Sequence, residues 1–258
     1  FDNVNWIPPL SEMPYTVLFE NKSTATAPAH DVFITDTLDL NKFDIANFGF
    51  SSFGWGDTIF TQTELKMKEF SRDIDLRPSK PLIVRVSGKL DTITGVVKFE
   101  FKSLNPVTLA EEEDPLNGFL PPNGTNHEGE GFVSYTVGLK KNLSTGTTVK
   151  NKASIVFDAN DPILTNEYVN TIDINLPVSQ VNKVEKVGTD SLKLSWTSTD
   201  VGSGVRSFVV YAKKDDGEVH PVLINTTSTS GIIKAETGAT YKFYSLATDN
   251  AGWKENKT

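Results

Sequence analysis

Two sets of oxygen donors in this chain have the types and spacing of a hard-cation site. The first is Asp158-Ala159-Asn160-Asp161-Pro162, with Asp158, Asn160 and Asp161 as donors. Calcium takes six to eight oxygens at about 2.3–2.6 Å, and a short acidic loop supplies part of that shell. The same residues also make an ordinary turn, because Asp and Asn bond their own backbone and Pro ends a strand. The second set joins Asp200, Asp249 and Asn250. These lie far apart in sequence, so only a fold that brings two turns to one pole unites them. Two carboxylates in one place repel, which raises a pKa unless a cation or hydrogen bonds answer the repulsion. Gly202, Gly204 and Gly252 beside them suit turn chemistry as the simpler reading.

A third candidate is aromatic. Phe48, Phe50, Phe53, Trp55 and Phe60 lie among Gly49, Gly54 and Gly56. Sugar-binding surfaces set an exposed ring beside hydrogen-bonding groups, and Trp55 with Asp57 fits that role. The even spacing of Phe48 and Phe50 instead reads as core. Catalysis has little support. The chain has no cysteine, no Gly-x-Ser-x-Gly elbow and no Walker-type loop. His30, His127 and His220 are scattered, and a three-histidine zinc site needs all of them. Asp73 and Asp75 would sit on one face of a strand, about 7 Å apart, but Arg72 and Arg77 beside them make ion pairing the simpler account. No catalytic residue is assigned.

The elements that must position these groups follow a period of two. Tyr15 to Glu20, Leu82 to Ser87, Val97 to Lys102, Val133 to Leu139 and Ala153 to Phe157 place an apolar residue at every second position. Val169 to Leu176 reads as a closing strand. Only Thr63 to Phe70, with Leu65 and Met67, admits a helical period, and alternation fits it equally well. Leu90 to Gly95 is a hairpin connection between two strands. Residues 103–131, with four prolines and the run Glu111-Glu112-Glu113-Asp114, form a loop long enough to be functional or disordered. A boundary falls near Pro177, after which short strands recur every 8–12 residues. The loop Lys140 to Thr147 is the expected neighbour of the second domain, and Asp158 to Pro162 lies at the far end of the first.

The second part resembles a fibronectin type III or related immunoglobulin-like module. Ser191 to Trp196 carries the likeness with an inward Trp, and Thr240 to Ala247 with an early Tyr. The turns Thr199 to Val205 and Thr248 to Gly252 look like those of modules in large secreted bacterial proteins. Trp253 departs from the usual polar residue. The first part is similar to conserved-repeat β domains of bacterial surface proteins, a family of unknown function. Tyr15 to Asn21, Asp31 to Leu38 and Asn151 to Asp158 carry that resemblance, and the middle is longer than the minimal repeat. That family implies extracellular, sandwich-like spacers in multi-domain chains and no catalytic residues.

The 258 residues carry a net charge of −8, from 25 Lys+Arg against 33 Asp+Glu. That balance argues against a nucleic-acid binder. No apolar run is long enough to span a membrane. Phe1 opens without a secretory leader, so the chain reads as a piece of something longer. The expectation is therefore an all-β protein of two tandem β-sandwich domains, residues 1–177 and residues 178–258. Its expected role is structural or adhesive within a secreted or cell-surface protein, with calcium as a stabiliser. The partners expected are other domains of the parent chain and cell-surface glycans or proteins. The rivals are a carbohydrate-binding module and an accessory part of an extracellular hydrolase.

Overall fold

Alternation decides which residues go inside. Val97, Phe99 and Phe101 are buried while Lys98 lies exposed between them. Leu194 and Trp196 are buried either side of Ser195 in the same manner. A strand that puts every second side chain on one face buries that set together. The computed structural model describes residues 4–9, 12–64 and 66–257, and all regular structure among them is β. In chain order the strands are β1 (Trp6–Ile7), β2 (Met13–Glu20), β3 (Asp31–Thr37), β4 (Phe43–Trp55), β5 (Thr58–Thr61), β6 (Glu69–Asp75) and β7 (Ile83–Leu90). Next come β8 (Val96–Leu104), β9 (Glu130–Leu139), β10 (Thr148–Asn151), β11 (Ala153–Phe157), β12 (Ile163–Leu164) and β13 (Tyr168–Ile172). The last are β14 (Val178–Lys186), β15 (Ser191–Thr199), β16 (Val205–Lys214), β17 (Val219–Thr226), β18 (Ser230–Lys234) and β19 (Tyr241–Asp249).

Two compact units emerge. One, the aromatic unit, comprises residues 10–141 and 150–169; the other, the C-terminal unit, comprises residues 1–9, 142–149 and 170–258. This grouping differs from a cut at 177. Ile7 and Ile172 pair in parallel β1 and β13. Ile172 also donates to Thr147 O at 2.9 Å and accepts from Gly146 N at 2.8 Å. Those bonds hold pieces of β1 and of the 142–149 loop with the C-terminal strands. The closing strand stops at Ile172, short of the expected Leu176.

In the aromatic unit, the sheet β12-β11-β3-β8-β7-β6 faces the sheet β2-β9-β4-β5. Ring contacts fill the space between them: Phe19 on Phe101, Phe50 on Phe99, and Phe53 on both Phe70 and Phe101. The expected hairpin joins β7 to β8, closed by Asp91 N to Val96 O at 2.8 Å. The stretch that admitted a helical period supplies β6 from Glu69 onward, and Leu65 lies outside the described residues. Residues 105–129 carry no strand but are tied down. Phe119 and Leu120 are buried, Leu120 bridges Ala29, and Asn21 Nδ2 donates to Leu120 O at 3.0 Å. In the C-terminal unit, β14-β15-β18 and β17-β16-β19 enclose Leu194, Trp196, Phe208, Val210, Ile233 and Ala247.

Candidate metal centre

Three aspartates of the C-terminal unit meet at the ends of strands. Asp173 follows β13, Asp200 follows β15, and Asp249 ends β19. One carboxylate oxygen from each lies within 4.8 Å of one from each of the others. Among the described residues this is the one group of three His, Cys, Asp or Glu side chains so close together. Asp173 and Asp249 are fully buried, and Asp200 is half-buried.

Local backbone geometry aims each carboxylate. Asp173 Oδ1 accepts from Asn175 N at 3.0 Å and Thr145 Oγ1 at 3.2 Å, and its Oδ2 from Ser203 N at 2.7 Å. Asp200 Oδ2 accepts from Gly204 N at 2.6 Å, and Asp249 Oδ1 from Trp253 N at 2.7 Å. The 199–205 turn comes this close because Gly202 adopts φ +139°, a conformation that L side chains rarely adopt. A Cβ at Gly202 would stand 2.6 Å from Asp173 Oδ2. Trp253 adds a brace, its indole Nε1 donating to Asp173 O at 2.7 Å.

The set is left short of positive charge. Asp200 Oδ1 and Asp249 Oδ2 are buried without any hydrogen-bond partner. Burial raises the pKa of Asp249 against hydrogen bonds from Trp253 and Gly252, and the charges of Asp173 and Asp200 raise it further. Burial likewise raises Asp200, with the charge of Asp173 adding to it. Burial also pushes Asp173 up, but hydrogen bonds from Asn175, Ser203 and Thr145 outweigh it, and its pKa ends below the ordinary range. Oxygens on opposite sides of a calcium ion stand about 4.6–5.2 Å apart, twice the usual bond length. The separation in the trio fits within that span. The donor set is all oxygen and all anionic, which suits a hard cation and offers nothing to a soft one.

The candidates read from sequence fall out as follows. Asp200 and Asp249 come together. Asn250 braces the turn that carries Asp200, its Nδ2 donating to Ser203 O at 2.7 Å and Gly204 O at 3.0 Å. Asp158, Asn160 and Asp161 make a turn. Asp158, at φ +52°, accepts through Oδ1 from His30 N at 2.9 Å and Asp31 N at 2.8 Å. Asn160 Nδ2 donates to Phe157 O at 2.9 Å, and Asp161 is exposed. The exposed ring expected at Trp55 is absent. Trp55 is only 8% exposed, with its ring edge-on to Phe119 and Phe101 at centroid distances of 5.3 and 6.0 Å. Residues 105–129 bring Phe119 onto that ring, so no face is open to a sugar. Asp57 sits in the exposed turn beyond it. Asp73 and Asp75 pair with Arg85 and Arg77 at 2.8 and 2.6 Å. Asp173 escaped the sequence reading because it sits in a segment that alternates like a strand. The Asp-x-Asn spacing of Asp173 and Asn175 was the available signal.

The model of a domain of unknown function (DUF7619) matches residues 115–171, well under half of the chain. Among curated proteins, none matches. Among solved structures, domains D2 and D3 of the major pilin SpaD from Corynebacterium diphtheriae are 14% identical. They align over 94% of this chain and 79% of that one, at a TM-score of 0.34. The C-terminal domain of the Streptococcus agalactiae AgI/II polypeptide BspA is 10% identical over 94% and 86%, with a TM-score of 0.39. Chicken CNTN1 FN1–FN3 domains are 10% identical over 94% and 95%, with a TM-score of 0.37.

Proposed function

We propose that the chain is a non-catalytic structural module of a larger secreted or cell-surface protein, and that calcium held by Asp173, Asp200 and Asp249 stiffens it. The observation that carries this reading is a cluster of three carboxylates in which Asp200 Oδ1 and Asp249 Oδ2 are buried without a hydrogen-bond partner. Buried anionic oxygens left unpaired are costly, and a divalent cation answers both at once. The set is acceptor-only and enclosed. It offers an ion a seat. The ion would join Asp173, just after β13, to the ends of β15 and β19, fastening turns from three parts of the chain. Thermal unfolding in millimolar Ca²⁺ and in chelator tests the reading. A ligand at one hundred times its Kd adds about 2.7 kcal/mol to the native state, so the melting temperature rises by several degrees in calcium. Identical curves in both buffers refute it.

A further inference from the structure

The aromatic unit holds buried unsatisfied polar atoms of its own, unrelated to the trio. A 480 Å³ cleft opens beside β2 and β11, with Asp36 and Asn151 among its lining. These two side chains are 3% and 7% exposed. Tyr135 Oη donates to Asp36 Oδ2 at 2.6 Å, and Asn151 Nδ2 donates to the same oxygen and to Tyr135 Oη, each at 2.9 Å. The hydroxyl proton and the amide nitrogen thus serve inside the triad. What remains is Asp36 Oδ1 and Asn151 Oδ1, both buried and both without a partner. Asp36 has no ion-pair partner among the described residues.

The unfilled capacity is therefore two acceptors beside one negative charge. A metal ion is a poor match, since the triad holds a single anionic group where hard cations gather several. A guanidinium fork wants both oxygens of one carboxylate, and Oδ2 already accepts two hydrogen bonds. A compact ammonium fits, with three donors on a rotatable head. The rest of the cleft suits its stem. Val17 and Ala153 supply apolar wall, and Tyr15 and Tyr168 add aromatic rings to the lining. We propose that this cleft binds a primary alkylammonium group, carried either by a free amine or by a lysine side chain. Tyr168, which is exposed, stands at the rim.

The test is an NMR titration of the whole chain with n-butylamine, Nα-acetyl-L-lysine methylamide, and the arginine and norleucine counterparts. Saturable shifts confined to the cleft are expected with the lysine derivative and with butylamine, and none with norleucine. Binding of butylamine alone supports the site and assigns it to free amines; binding of both extends it to lysine side chains. Asp36→Asn should weaken binding at least tenfold, and Tyr168→Ala about two- to fivefold. No saturable shift, equal shifts with norleucine or arginine, or undiminished binding by folded Asp36→Asn overturns the proposal. If Asp36→Asn does not fold, Tyr168→Ala decides, and unchanged affinity there overturns it as well.

Discussion

At the scale of single residues, the aspartate trio sets like charges against one another. Asp249 shows the consequence most directly, being fully buried with Oδ2 unpartnered. In chelator, Asp249→Asn removes a repulsion, so the variant should melt no lower than the parent. In calcium it should lose the stabilising response, and paired melts in the two buffers check both halves. Proton linkage gives a second handle. The pKa values of Asp200 and Asp249 are raised in the folded state. Above the ordinary aspartate value of about 3.9, the native state therefore holds protons that the unfolded chain has released. Their contribution to metal-free stability should fall as pH rises through the raised values, and calcium should abolish that fall. Asp173, lowered instead, contributes stability above the ordinary range that is lost as pH drops below it. A metal-free melting series across pH 3.5–7, taken as the difference between the parent and Asp249→Asn, isolates the sign for Asp249; a parent that gains on the variant as pH rises contradicts it. Asp200 and Asp249 could be nominated from sequence because glycine-rich turns flank both. Asp173 is marked only by its Asp-x-Asn spacing with Asn175, a faint signal in a segment that otherwise alternates like a strand.

At the scale of elements, the irregular segments do much of the joining. Residues 105–129 fold Phe119 over Trp55 and Phe101, with Phe101 and Phe119 stacked at 5.5 Å. Phe119→Ala should cost about 3–5 kcal/mol and open the Trp55 ring to quenchers. Denaturant unfolding and acrylamide quenching measure the two effects. Glu255, beyond the last strand, plays a similar part in the C-terminal unit. It accepts from Ser179 N at 2.9 Å, Ser179 Oγ at 2.5 Å and Ala247 N at 2.9 Å, which pins β14 to β19. Burial pushes its pKa up, but those bonds and Lys257 overcome it and leave it lowered. Its contribution should be present at neutral pH and fade on acidification below the ordinary glutamate range. Glu255→Ala should cost about 3 kcal/mol at pH 7, measured by denaturant unfolding. The strands themselves were legible, because alternation at Val97 to Lys102 or Leu192 to Trp196 has a single reading. The covering of Trp55 was not, because it depends on a phenylalanine 64 positions downstream by their numbering, in a segment with no period at all.

At the scale of the whole molecule, the chain carries −8 and no cysteine, so neither disulfides nor charge balance stabilise it. Stability rests on two separate cores, and the trio lies wholly within the C-terminal unit. Calcium should therefore shift the calorimetric transition of that unit and leave the aromatic unit's own transition in place. A uniform shift reproduced by sodium chloride at equal ionic strength would point to general screening and away from a seated ion. The all-β class was legible from periodicity, whereas the discontinuous make-up of the C-terminal unit was not. Parallel pairing of Trp6 and Ile7 with Thr171 and Ile172 joins residues 165 apart, and two-residue strands leave no pattern to read.

Trp253 stands where polar residues were expected, and its position gives the centre an optical gauge. Its backbone N–H binds Asp249 Oδ1 and its indole N–H binds the carbonyl of Asp173. The fluorophore is thus bonded to two of the three residues around the proposed ion. Its emission wavelength and lifetime should register loading and unloading directly, allowing occupancy to be followed by light without a label.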